Sequence, residues 1–265
     1  MSVLLIVAIP YYWLLADGGA GPGMAEARAR PVTITQLRTL AGSLPGPRPV
    51  ELRVETVGIR LNSRNMLVAG GGLRQLPNTV RAYELVVPGS GSIVIDAGIS
   101  RNAAQEHDFE QYDAAAQARI GFALTKAAHV VLLADRSSHN GGHPAGTRRV
   151  GKSPLPATGA PYALAAGVVV IPATGLAPGM NMVYTQLAGG REYLFTGDVA
   201  KLSINWRELR LPARLATRDE KVGFRAENLA WLMTINALHR AAPQMTIVAG
   251  HDPLRIPFSA GTFSD

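Results

Sequence analysis

Residues 128–143 read AHVVLLADRSSHNGGH. An apolar run of strand type stops abruptly, and a polar loop with His139, Gly141, Gly142 and His143 follows. Strand ends that break into Gly-rich loops are common places for chemistry, because the strand fixes the loop's first residues in space. What lies on either side gives the fold class. Upstream, FEQYDAAAQARIGFALTKA (109–127) places Phe109, Tyr112, Ala116, Ile120 and Leu124 near helical spacing and leads directly into the strand HVVLLA. Earlier still, VELRVETVGI (50–59), TVRAYELVV (79–87) and SIVIDAG (92–98) alternate as half-buried strands do, predicting antiparallel neighbours. Downstream, ALAAGVVVI (163–171), MNMVYTQLA (180–188) and EYLFTG (192–197) read as strands, a second long helix covers roughly 222–241, and QMTIVAGHD (244–252) is a final strand. Strands precede a helix and the order repeats, with no internal repeat and no second boundary. The prediction is an α/β domain over 31–265 and a separate N-terminal segment over 1–30.

Composition limits what such a domain can do. With 265 residues and 47% hydrophobic content the chain can bury one large core. The absence of cysteine excludes disulfides, thiolate metal sites and a thiol nucleophile, leaving His, Asp and Glu as the strong metal ligands. A formal charge of +7 favours anionic partners. Yet in WRELRLPARLATRDEKVGFRAE (206–227) the arginines alternate with acids, and no basic stripe carries interleaved aromatics, which argues against a nucleic-acid surface. A small-molecule or anionic ligand fits better; oligomeric state is not legible.

The N-terminal run VLLIVAIPYYWLLA (3–16) is uncharged, shorter than the roughly 20 residues of a comfortable membrane span, and interrupted by Pro10. Tyr11, Tyr12 and Trp13 suit a membrane interface. Gly18 and Ala20 offer a cleavage site, so a membrane anchor and an exported chain with a signal peptide both stay open. Arg28, Arg30 and Arg38 after the run favour a cytoplasmic domain. The stretch DGGAGPGMAEARARP (17–31) is linker-like and would separate the segment from the core.

Three strand ends each deliver a candidate ligand: His139, Asp198 and His251. Imidazole and carboxylate suit a zinc-like ion, and strand ends are rigid enough to converge on one point. Each alone is an ordinary residue, and their order gives them weight. In that order the chain resembles the metallo-β-lactamase superfamily over most of 45–252, and within it a membrane-anchored bacterial branch. VVLLADRSSHNGG stands where that family carries its His-x-His-x-Asp-His loop, SIVIDAG resembles the strand bearing the supporting Asp96, IPATGLAPGMNMVYTQLAGGREYLFTGDVA its Gly-His-x-Pro-Gly turn and bridging Asp198, and TIVAGHD its last ligand. The resemblance implies a four-layer αββα sandwich with the site at one edge of two packed sheets. It also shows what is missing. The first two motif histidines fall on Ala134 and Arg136, the catalytic Asp on Ser138, and the later histidine on Leu176. Three of the family's first-metal ligands are therefore absent, while His139, Asp198 and His251 remain as a set for one divalent ion (zinc, iron or manganese) or for none. As replacement catalytic groups the sequence offers Asp198, Ser138 and His143. Arg136 is expected to put a fixed positive charge where the first ion would sit and to pair with Asp198, or failing that with Asp135 or Asp252. The expected function is a non-catalytic binding or regulatory pseudo-hydrolase; the alternative is a single-metal hydrolase of an ester, thioester, lactone or phosphoester.

Overall fold

The computed structural model describes residues 8–19, 24–141 and 159–263. Two five-stranded sheets form its centre. The first contains β1 (Glu51–Ser63), β2 (Gln75–Val86), β3 (Ile93–Ile95), β4 (Gln111–Tyr112) and β5 (His129–Val131), in the order β4-β1-β2-β3-β5. The second contains β6 (Tyr162–Ala165), β7 (Val168–Pro172), β8 (Asn181–Gln186), β9 (Glu192–Phe195) and β10 (Thr246–Val248), in the order β10-β9-β8-β7-β6. Pairing is antiparallel except for β3 with β5 and β9 with β10, which run parallel.

The α-helices packed on or beside the sheets are α1 (Ile34–Ala41), α2 (Arg64–Leu67), α3 (Arg101–Glu106), α4 (Ala114–Lys126), α5 (Ser203–Glu208) and α6 (Phe224–Ala241). Period-two alternation sorts each strand between two cores. Along β7, Val168 and Val170 face the other sheet, packing with Tyr83, Leu85, Ile95 and Phe195, while Val169 and Ile171 turn to the helices. There Leu37 of α1 and Trp231, Ile235 and Leu238 of α6 cover the second sheet. On the other side, Ala116 and Ile120 of α4 cover Val80, Ala82 and Val94 of the first. The layers are helix, sheet, sheet, helix.

Two local expectations differ from the structure. The helix foreseen from 109 begins at Ala114, where Asp113 Oδ1 accepts from the Ala116 amide at 2.9 Å. Phe109 and Tyr112 still pack on the same core, but from an extended segment that pairs Gln111–Tyr112 with β1. Gly58 leaves the room that the Phe109 ring needs, since a Cβ there would come within 2.8 Å of it. ALAAGVVVI is not one strand but the hairpin of β6 and β7. Gly167 turns the chain with φ +79°, and a Cβ at this position would lie 2.6 Å from the carbonyl oxygen of Gln186.

The N-terminal segment is not detached over its described part. Residues Tyr12–Ala16 form a π-helical turn, the Gly70 amide donates to Leu15 O at 2.9 Å, and Asp17 pairs with Arg214 at 2.9 Å. Among the described residues no helix is long and apolar enough to cross a membrane.

Candidate functional site

The parallel pairs β3–β5 and β9–β10 end at one edge of the sandwich, and their last residues turn into four loops that meet there. Asp96 follows β3, residues 134–139 follow β5, Asp198 follows β9 in the short turn Gly197–Val199, and His251 follows β10. Two glycines allow the last two to approach. Gly197 has φ +51°, and a Cβ on Gly250 would collide with the Gly197 carbonyl oxygen.

Asp96 holds the loop after β5 in place. It is 2% exposed and adopts φ +65°, a conformation uncommon for a residue with a side chain. One carboxylate oxygen accepts from the Leu133 amide at 2.8 Å and the other from His139 Nδ1 at 2.8 Å, while the Ala97 amide donates to His139 O at 2.7 Å. Because a carboxylate only accepts, Nδ1 carries the proton and Nε2 turns toward the site. His251 is held in the same manner, with Nδ1 2.9 Å from the carbonyl oxygen of Thr79. Each imidazole thus has one nitrogen committed to an acceptor behind it, the usual support for a metal-binding histidine.

Asp198 lies between them, buried to 7% residual exposure. Its Oδ1 is 2.9 Å from His251 Nε2, 3.6 Å from Lys201 Nζ and 3.7 Å from His139 Nε2; its Oδ2 is 3.4 Å from Arg136 Nη1. Burial alone would raise this carboxyl's pKa, but Lys201 and the two histidines outweigh it and hold the group well below the usual carboxylate range. For His139, burial disfavours the charged form, yet the facing carboxylates of Asp96 and Asp198 push its pKa up to about 10.

Arg136 reaches two acids. Besides Asp198, it donates from Nη2 to Glu220 Oε1 at 2.5 Å. Neither of its other expected partners is used. Asp135 accepts from Asn140 Nδ2 at 3.1 Å, and Asp252 accepts from the Ser203 hydroxyl and amide at 2.6 and 3.0 Å. Glu220 and Lys201 were missed from sequence. Lys201 lies one turn after Asp198, a spacing that could have suggested it, whereas nothing local marks Glu220 in its charged stretch. Ser138 is half-buried, and among the described residues no side chain hydrogen-bonds its hydroxyl. His143 lies outside the described residues.

The donor set decides which metal centre fits. A dinuclear centre does not: Ala134 and Leu176 are 0% and 4% exposed and belong to the apolar core beneath the second sheet, so carbon stands at those two ligand positions. The other two carry Arg136, a fixed cation, and Ser138. A single ion does fit the donors, because ligand atoms of His139, Asp198 and His251 all lie within 4.8 Å of one another and His139 Nε2 is buried without a hydrogen-bond partner.

No family model matches the chain and no curated protein matches it. Solved structures do. A quorum-quenching N-acyl homoserine lactone lactonase superposes with a TM-score of 0.64 at 13% identity, covering 81% of this chain and 99% of its own. An N-acyl homoserine lactone hydrolase, with N-hexanoyl-L-homoserine bound at its catalytic metal centre, gives 0.61 at 14%, covering 79% and 98%. A probable metal-dependent hydrolase from Staphylococcus aureus gives 0.55 at 9%, covering 77% and 91%. With two helix-covered mixed sheets and a site where both parallel strand pairs end, this chain has the metallo-β-lactamase fold.

Proposed function

We propose that this chain is a hydrolase-like protein without two-metal catalysis, a binding or regulatory pseudo-hydrolase. The arrangement around Asp198 carries the reading. In a metal-dependent hydrolase an ion neutralises such a buried carboxylate; here Lys201 and Arg136 lie 3.6 and 3.4 Å from it, so two cations of the protein itself face it, beside His251 Nε2 at 2.9 Å. Two-metal hydrolysis needs one ion to activate water and polarise the substrate's oxygen together with a second to hold both reacting oxygens. Ala134 and Leu176 supply no group for the second ion.

Metal analysis tests this directly. Protein purified without chelator should hold well under one equivalent of zinc, iron or manganese, and chelator should leave its melting temperature unchanged. A second reading, a single-metal hydrolase of an ester, thioester, lactone or phosphoester, is favoured by the unpartnered Nε2 of His139. One tightly held ion per chain, with a melting temperature that falls on chelation, would establish that site and displace the first reading. In that case the ion would supply a more acidic bound water, and the chain's own part would be to aim both Nε2 atoms through Asp96 and the Thr79 carbonyl.

We also propose that the N-terminal segment brings the domain to a membrane surface. Ile9, Tyr12 and Trp13 are 64%, 63% and 53% exposed at the described end of the apolar run, while the following residues dock on the domain.

A further inference from the structure

A pocket of about 220 Å³ lies beside β10, and its wall includes Ala249 and Asp252 of the loop that carries His251 but none of the three candidate ligands. β10 is the edge strand of the second sheet, so no further strand covers this flank. Trp206, Met245 and Ile256, each 6% exposed or less, contribute to its wall, which Arg81, Arg207 and Arg255 also line.

The three arginines of this pocket outnumber its one carboxylate, Asp252. Among the described residues none of these arginines is in an ion pair. Arg81 donates to the Leu254 carbonyl at 3.0 Å, and Arg207 lies over the Trp206 ring at 5.2 Å. The single carboxylate of the wall, Asp252, is occupied by Ser203 at 2.6 and 3.0 Å. Two wall residues also carry buried ring nitrogens with no partner: Nε1 of Trp206, a residue only 3% exposed, and Nδ1 of His239, whose ring meets the indole edge-on at 4.9 Å. A buried donor left unpaired costs about 1–3 kcal/mol, so such groups call for a bound partner.

We propose that this pocket binds a small organic carboxylate with a short apolar tail. Guanidinium groups match a carboxylate with two parallel hydrogen bonds, and the tail would cover apolar wall that a bare inorganic anion would leave wet. Size sets the limit. At about 30 Å³ for each water-sized group the cavity holds about seven, close to the eight non-hydrogen atoms of a six-carbon carboxylate.

Calorimetric titration of the full chain with sodium hexanoate, 1-hexanol and inorganic phosphate tests the assignment. Hexanoate should bind saturably with one site per chain, and both other probes should bind at least about tenfold more weakly. Arg207→Ala combined with Arg255→Ala should weaken hexanoate by about tenfold or more while leaving the melting temperature of the free protein unchanged, because both side chains are exposed. Equal binding of hexanol would remove the role of charge, and equal binding of phosphate would reduce the pocket to a bare anion site. Either result overturns the proposal, as does unchanged hexanoate affinity in the double variant. Loss of binding in Arg136→Met instead would assign the anion to the remnant metal site.

Discussion

At residue scale the decisive substitution is Arg136. Its guanidinium is 37% exposed and divided between Asp198 and Glu220, and Asp198 keeps Lys201 and His251 when Arg136 is removed. The single change Arg136→Ala should therefore cost only about 1 kcal/mol in urea unfolding at neutral pH, a value already discounted for solvent screening. Lys201→Ala alone should cost a similar amount. Removing both leaves a buried carboxylate with no fixed cation, so the double variant should lose about 3–4 kcal/mol, more than the sum of the singles. Simple additivity would show that the two cations do not act through Asp198. The position of Arg136 was legible from its place in the loop, since a motif fixes which residue faces the site. Glu220 was not, because it lies 84 residues away and only the folded chain brings the two together.

Among elements, the attachment of α1 to the second sheet offers a measurable case. Arg38 near the end of α1 donates from Nε and Nη2 to the two carboxylate oxygens of Glu192 on β9, both at 2.8 Å, and the Tyr184 hydroxyl of β8 donates to the same carboxylate. The Arg38 hydrogen bonds lower the Glu192 pKa below 4.5, more than burial raises it, with Tyr184 adding to the lowering. A depressed carboxyl stabilises the fold above its ordinary pKa and loses that contribution as pH falls through its folded value. The stability gap between the parent chain and Arg38→Met should thus be about 1 kcal/mol near neutrality, modest because Arg38 is 47% exposed. It should close as pH drops below 4.5, as chemical denaturation at stepped pH would read. A gap independent of pH would mean that Arg38 acts through packing alone. Elements with alternation, such as β1 and β2, were readable from sequence because one face of each is more deeply buried than the other. The hairpin in ALAAGVVVI was not, since apolar residues on both sides of Gly167 hide the turn. The helix start at Ala114 was obscured in another way: Phe109 and Tyr112 have helical spacing but reach the core from a strand that Gly58 admits.

At the scale of the whole molecule, the proposed contact of the N-terminal segment with a membrane surface can be tested. The sequence suggested a separable anchor on a linker, whereas the structure joins the end of the apolar run to the body through Leu15, Asp17 and the ring of Trp13, which lies 4.0 Å from the Arg214 guanidinium. A linker that docks cannot be recognised from its composition, because the Gly-rich residues 17–19 look the same whether or not their neighbours find partners. In the proposed membrane contact, exposed Ile9 and Tyr12 would meet the bilayer surface. The net charge of +7 adds attraction to anionic lipid. The full chain should float with vesicles containing phosphatidylserine. Ile9→Ser with Tyr12→Ser should reduce that binding by about tenfold, since each side chain inserted in part contributes on the order of 1 kcal/mol. Neither side chain takes part in the Leu15, Asp17 or Trp13 contacts, so the melting temperature should not change. If the double variant floats as well as the parent, the exposed turn is not what meets the lipid; if both float only at low salt, the basic surface alone accounts for the attraction.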